Sequence, residues 1–466
     1  MKTAEITTDD KKSGRPSYVS TTNACKLCKP LGAALAFRGI EGAVPFLHGS
    51  QGCATYMRRY LISHYREPMD IASSSLGEKH AVYGGASNLK QGIINVMRKY
   101  HPSLIGIATT CLTETIGDDV PMIVRDFRRE VQEGSEGREL PDLVTVSTPS
   151  YSGTHMEGFQ AAVRATVDYL AGNSEPGTEV NLLPGLVSPA DIRYLKEVMD
   201  DFGITATILP DISESLDGPA IEDYEKIPEG GTPISAIRAM GRAQASIEFG
   251  STLFNQATAG SLLAERFAVR LSQIGTPIGL RETDRFFAAL ESVSGRETPR
   301  KHALERGRLV DAYVDGHKYI FGKRAFIYGE EDLVVGLTSF LTEIGVRPVL
   351  CGSGGRSGNL AEEVKRVTED FLPEVPATRE GVDFFEIAEE AEELRPDIII
   401  GHSKGYRLAR KLEIPLVRVG FPIHDRFGGP RILHLGYRGA QQLLDRIVNA
   451  VLEKKQADSP IGYGYL

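Results

Sequence analysis

The chain has 466 residues, of which 41% are hydrophobic and 25% charged, an ordinary globular balance that excludes disordered and fibrous classes. Lys and Arg number 53 against 62 Asp and Glu, a net charge of −9 that repels phosphates overall, so neither nucleic acid nor a membrane is an expected partner. No run reaches about 18 apolar residues, and the polar opening MKTAEITTDDKKSGRPSYVSTTN lacks the apolar core of a secretory signal, which points to a cytoplasmic protein.

At roughly 150 residues per domain there is room for about three domains. The first twenty-odd residues read as a flexible or partner-bound tail. Pro30 suits the first turn of a helix, where its missing N–H costs nothing. The glycine-rich turn HGSQGC leads into helical spacing over Ala54–Tyr65, and a second helix is predicted over Asn88–Tyr100. Strands follow at Leu104–Thr109 and Leu143–Ser147, with a helical run from Thr115 between them. Ala171–Thr178 (AGNSEPGT) reads as a linker before a strand at Val180–Leu183, a helix at Ala190–Phe202 and a strand at Thr205–Leu209. From Pro228 to about Leu309 the pattern is mainly helical. Further strands are predicted at Arg324–Tyr328, Arg347–Leu350, Asp397–Ile400 and Leu416–Val419. Most strand runs are continuously apolar, as in strands buried on both faces of a parallel sheet. The expected fold is α/β, with three Rossmann-like doubly wound domains at 1–175, 176–320 (with a helical insertion) and 321–466.

Five cysteines are too few for a disulfide scaffold. Cys25, Cys28, Cys53 and Cys111 gather in the first quarter of the chain, and only Cys351 lies elsewhere. Cys28 precedes Pro30, Cys53 closes the glycine-rich turn, and Cys111 follows a strand, so each is expected where a loop meets a helix start. Free N–H groups and the helix dipole stabilise thiolates there. Taken singly such cysteines are commonly buried structural residues; together they favour iron–sulfur ligation. A zinc site usually shows two tight pairs, and only Cys25 and Cys28 form one, although histidines could complete such a site in space. An ordinary cluster wants four thiolates. Three leave a shortfall that a second chain would meet at a subunit interface.

The motifs CKPLGA (Cys28–Ala33), HGSQGC (His48–Cys53), REP (Arg66–Pro68), YGG (Tyr83–Gly85), TTCLTETIGDD (Thr109–Asp119) and PSYSGTH (Pro149–His155) resemble the β-type subunit of nitrogenase component 1. So do ERGRLVDAYVDGH (Glu305–His317), GLTSFLTEIG (Gly336–Gly345) and VRVGFPIHDR (Val417–Arg426), so the likeness spans nearly the whole chain. The resemblance implies the nitrogenase component 1 fold and an α2β2 heterotetramer with an α-like partner. It implies that Cys28, Cys53 and Cys111 ligate an [8Fe–7S] P-cluster shared with that partner (a [4Fe–4S] cluster being the alternative), with Ser150 able to bind an iron on oxidation. An ATP-dependent homodimeric iron protein would dock transiently and deliver electrons, and the iron–sulfur active-site cofactor would sit in the partner, leaving no catalytic residue in this chain.

The block NACKLCKPLGAALAFRGIEG…YMRRYLISHYREPMDIASSS is most like methylthio-alkane reductase, which cleaves C–S bonds in small thioethers. The alternatives are a vanadium or iron-only nitrogenase β subunit and the β-like subunit of a cofactor-maturation scaffold. Cys25 and Cys351 read as structural or supporting thiols, and His48 and His155 as hydrogen-bonding residues rather than ligands. Glu114, Asp118 and Asp119 read as helix-capping acids. GSGGRSGN (Gly352–Asn359) could take phosphate but lacks the Lys-Ser/Thr of a P-loop.

Overall fold

The computed structural model describes residues 26–134, 140–172, 175–220, 222–254 and 256–462, so the N-terminal tail and Cys25 lie outside the described residues. The strands form three sheets. The first holds β1 (Ala43–His48), β2 (Ala72–Ser73), β3 (Leu104–Thr109) and β4 (Asp142–Val146), in the order β2-β1-β3-β4. The second holds β5 (Val180–Leu183), β6 (Ala206–Ile208), β7 (Ala245–Phe249) and β8 (Arg270–Ile274), in the order β6-β5-β7-β8. The third holds β9 (Arg324–Gly329), β10 (Arg347–Ser353), β11 (Ala377–Arg379), β12 (Ile398–Gly401) and β13 (Leu416–Arg418), in the order β11-β10-β9-β12-β13. Every pairing is parallel, the doubly wound arrangement expected of buried apolar runs joined by helical crossovers.

One core joins the three sheets. It includes Leu47 and Leu104 of the first, Leu182 and Ile247 of the second, and Ile327 and Ile400 of the third. The outer faces of the first and third sheets pack separately, around Phe46 and Ile107 and around Phe326 and Ile399. Among the described residues no helix is long and apolar enough to cross a membrane.

The stretch 228–309 is mainly helical, as expected, but it also holds two strands that the sequence pattern did not show. It carries β7 and β8, both members of the second sheet. The apolar run of β7 is interrupted by Ser246 and Glu248, which the fold nevertheless buries. The Glu248 carboxylate accepts hydrogen bonds from Thr258, Gly260 and Gln273, so its burial is satisfied. The other, β8, is an edge strand, half-buried, and its polar residues need no partner layer.

The C-terminal segment is tied to the second sheet's layer by a buried carboxylate–imidazole hydrogen bond. Asp191, in the helix Pro189–Asp201, accepts the Nδ1 of His434 at 2.9 Å and the backbone N–H groups of His434 and Leu435 at 2.6 and 3.1 Å. Burial pushes the Asp191 carboxyl up, but His434 and these N–H groups outweigh it and hold the pKa below the usual carboxylate value. A depressed folded pKa stabilises the fold above the unfolded value, and that stability is lost as pH falls through the folded one. Asp191→Ala leaves a buried imidazole and two N–H groups without their acceptor, and the expected cost is about 3 kcal/mol or more by denaturant melting. The stabilising contribution in the parent should fade only on acidification below the ordinary carboxylate range.

Candidate metal centre

In the first sheet the chain leaves β1 for β2 on one side and returns through β3 on the other. The crevice outside the carboxyl ends of β1 and β3 is therefore the topological switch point, where open α/β sheets place their ligands. His48 ends β1 beside Thr109 of β3. Five residues after His48 comes Cys53, in the first turn of the helix Gln51–Tyr65; two after Thr109 comes Cys111, first residue of the helix Cys111–Ile116. Cys28 is the N-cap of the helix Lys29–Arg38 and bridges Thr154, which caps the helix His155–Leu170. Each thiol thus stands at a helix start, as the sequence implies.

Local chemistry holds the two switch-point loops together. The hydroxyls of Thr110 and Thr113 both donate to the His48 carbonyl, at 3.1 and 3.0 Å. A β-carbon on Gly49 would lie 2.2 Å from the Thr110 hydroxyl, so only glycine admits this approach. His48 is buried between Ser74 (2.9 Å) and Asp118 (3.0 Å), and Asp118 also accepts from the Gly85 N–H. Glu114 accepts from Thr109 and Ser147, both at 2.5 Å, clamping the ends of β3 and β4. Asp119 accepts from the Met122 N–H and starts the next helix. These polar residues are satisfied structural groups. His155 joins them: Leu27 N–H donates to its Nδ1 and its Nε2 pairs with Glu330, both at 3.3 Å.

Ser150 lies between two of the thiols. Its N–H donates to Cys111 Sγ at 3.2 Å, its hydroxyl contacts the Cys28 thiol and accepts from the Lys29 N–H at 3.2 Å. The Ser50 hydroxyl donates to Cys53 Sγ at 3.4 Å. Cys28 and Cys53 are half-buried and Cys111 is exposed. The Cys28 thiol titrates above its ordinary value, first because it is buried, while Ser150 and Lys404 pull it down and the charges of Cys111 and Cys53 push it up. In the metal-free chain, iodoacetamide should therefore modify Cys111 fastest, and the pH profile for Cys28 should be displaced to higher pH, read by mass spectrometry of tryptic peptides.

Among the described residues no group of three or more His, Cys, Asp or Glu side chains could close round a single metal ion. A cleft of about 550 Å3 opens beside Cys28 and Ser150, lined by Tyr56, Tyr60, Lys404 and Arg407. Lys404 follows β12 of the third sheet and lies 5.7 Å from the Tyr60 ring centroid. Sequence reasoning missed this contribution because Lys404 is separated from even the nearest of the three thiols by nearly three hundred residues and belongs to no metal-site pattern. Cys351 is far from this centre in role: it is buried in β10 against Thr338, and burial pushes its thiol up to about 12.

The family model for nitrogenase component 1 type oxidoreductases matches residues 28–452. The chain belongs to that family. It is 34% identical to a nitrogenase molybdenum-iron protein beta chain of Clostridium pasteurianum, covering 93% of each chain, and 35% identical to a vanadium-iron beta chain of Trichormus variabilis, covering 91% and 92%. It is 32% identical to the iron-molybdenum cofactor biosynthesis protein NifN of Bradyrhizobium diazoefficiens, over 96% of this chain and 92% of that one. A solved chain of nitrogenase Cp1 at pH 6.5 superposes with a TM-score of 0.92 at 32% identity, covering 99% of this chain and 98% of that one. The family is thus an oxidoreductase family, and this member is beta-chain-like.

Proposed function

We propose that the chain is the β-type subunit of a nitrogenase-like reductase and ligates one side of a shared [8Fe–7S] cluster through Cys28, Cys53 and Cys111. In this reading it pairs with an α-like subunit in an α2β2 assembly. It stands on the electron route from an ATP-dependent homodimeric iron protein to an iron–sulfur cofactor in that partner. The observation that carries the reading is that Cys53 and Cys111 start helices at the switch point of the first sheet while Ser150 joins Cys111 to Cys28, the N-cap of a third helix. Three thiolates are one short of the set an ordinary cluster takes, so a partner would have to supply the rest. Val82, Tyr83 and Tyr151, each more than two-thirds exposed, flank the site, and a partner subunit would cover them.

Such a cluster would supply low-potential one-electron chemistry when bound. The chain's own residues prepare its seat. The Ser150 N–H and the Ser50 hydroxyl donate to sulfur and so favour thiolate. Lys404 adds positive charge beside Cys28. The Ser150 hydroxyl, already against Cys28, stands where it can serve as an additional ligand on oxidation.

For the reaction we favour reductive C–S cleavage of methylthio-alkanes, on the likeness of residues 23–42 and 56–75 to that class of reductase; dinitrogen reduction is the competing reaction. The purified complex with its iron protein should release methanethiol and ethane from ethyl methyl sulfide. Ammonia from dinitrogen with no thiol formed would overturn the substrate assignment. The match to a cofactor biosynthesis protein over 96% of the chain favours one further reading, a maturation scaffold. Iron analysis with electron paramagnetic resonance separates them: about eight irons per αβ pair in a shared cluster support the reductase, and a four-iron cluster without substrate turnover supports the scaffold.

A further inference from the structure

A second cavity, of about 420 Å3, shares no lining residue with the thiol cleft. Its wall is built from segments that follow strands of two sheets: Pro184–Ser188 after β5, Thr252 and Leu253 after β7, and Glu330–Leu333 after β9. β5 and β7 flank the switch point of the second sheet, so the cavity occupies the position at which such sheets bind ligands. The volume suits a small molecule.

Arg164 and Arg356 line it, the latter exposed and lying against Gly381, and neither side chain is paired. Arg164, on the helix His155–Leu170, has its Nε fully buried without a hydrogen-bond partner. Among the described residues neither the Arg164 nor the Arg356 side chain makes a hydrogen bond or an ion pair. A buried donor left unmet carries its full desolvation cost and asks for an acceptor. A planar guanidinium is best met by a carboxylate or phosphate.

The glycine-rich segment GSGGRSGN, which contains Arg356, does not take the anion through its backbone. Its Ser357 N–H donates to Glu331 at 3.2 Å, and the N–H groups of Gly358 and Leu360 donate to Glu380 at 3.2 and 3.0 Å. The protein's own carboxylates fill that cradle, which removes the phosphate loop considered from sequence. The free positive charge is on the side chains alone. Among the carboxylates of the wall, burial pushes that of Glu331 up to about 7 and that of Asp332 up to about 6, while Glu157, Asp168, Asp191 and Glu330 are held by Thr154, Arg266, His434 and His155. The apolar part of the wall includes Leu186, Phe249, Leu253 and Phe421.

We propose that this cavity binds a small aliphatic carboxylate, its carboxylate seated on Arg164 and Arg356 and its hydrocarbon chain against Phe249, Leu253 and Phe421. The proposal does not depend on the thiol centre. The test is calorimetric titration of the purified complex with hexanoate, hexan-1-ol and inorganic phosphate, in the parent and in Arg164→Gln and Arg356→Gln. The expected result is saturable hexanoate binding at one site per chain, none by hexan-1-ol at the same concentrations, and at least a tenfold weaker affinity in each variant. Arg356 is exposed, so its variant keeps the test open should Arg164→Gln fail to fold. Hexan-1-ol binding as well as hexanoate, phosphate displacing hexanoate, affinity unchanged in both variants, or no saturable binding would each overturn the proposal.

Discussion

Cys111→Ala is expected to strip the shared cluster from the assembled complex while leaving the chain folded. Cys111 is exposed and its sulfur accepts a single hydrogen bond, from the Ser150 N–H, so losing it removes little packing. Surface substitutions of this kind stay within about 0.5 kcal/mol. Metal binding responds differently, because each thiolate is a bond to iron; even supporting residues around metal sites cost about 10–100-fold when removed. Turnover with the iron protein should fall by more than about 10-fold, and iron content and the cluster's paramagnetic signal should fall with it. Cys53→Ala should behave alike, since Cys53 is half-buried and held only by Ser50. A complex of Cys111→Ala with full iron content, an unchanged spectrum and undiminished turnover would end the ligand assignment. A variant that lost iron and also lost its melting transition would point to a structural role instead.

Much of the fold is legible in the sequence because parallel strands buried on both faces are continuous apolar runs. LIGIAT became β3 and VNLL became β5 without a residue's difference. The runs that escaped are those whose polar atoms are satisfied only in three dimensions. Glu248 in β7 needs Thr258, Gly260 and Gln273, and nothing in ASIEF announces them. Pro45 in β1 argues locally against a strand inside a sheet, yet β1 pairs along its whole length with β3. The thiol positions were readable for the same reason the buried strands were: Pro30, the glycines of HGSQGC and the strand before Cys111 are local signals for a loop entering a helix. The arrangement around them was not. Lys404, Tyr60 and the position of Ser150 between Cys28 and Cys111 are products of chain topology, and no spacing encodes them.

Gly32→Ala and Gly158→Ala are each expected to destabilise the chain by about 3 kcal/mol or more, and to disturb the thiol centre from a distance. The helix Lys29–Arg38 is buried from Pro30 to Arg38, an apolar helix with no face toward water. It crosses the helix His155–Leu170 so closely that a β-carbon on Gly32 would lie 1.7 Å from the His155 carbonyl oxygen. One on Gly158 would lie 1.8 Å from the Lys29 carbonyl oxygen. Both obstructions are backbone atoms, which cannot rotate aside. Retreat is closed on another side too, because Phe37 packs on Gly106 of β3, where a β-carbon would sit 2.2 Å from the ring. Overpacking a core ordinarily costs 1–3 kcal/mol, and contacts this short belong at or beyond the upper end. The two substitutions force apart one crossing, so the double variant should cost less than the sum of the singles. Cys28 caps the first helix and the Lys29 N–H holds the Ser150 hydroxyl just ahead of the second, so separating the helices moves one thiol from its neighbour. Thermal melting of the purified complex reads the stability cost, and the cluster's paramagnetic lineshape reads the displacement. Melting temperatures equal to the parent's in both single variants would show that the crossing yields, and that the glycines are not what sets the distance between Cys28 and Ser150.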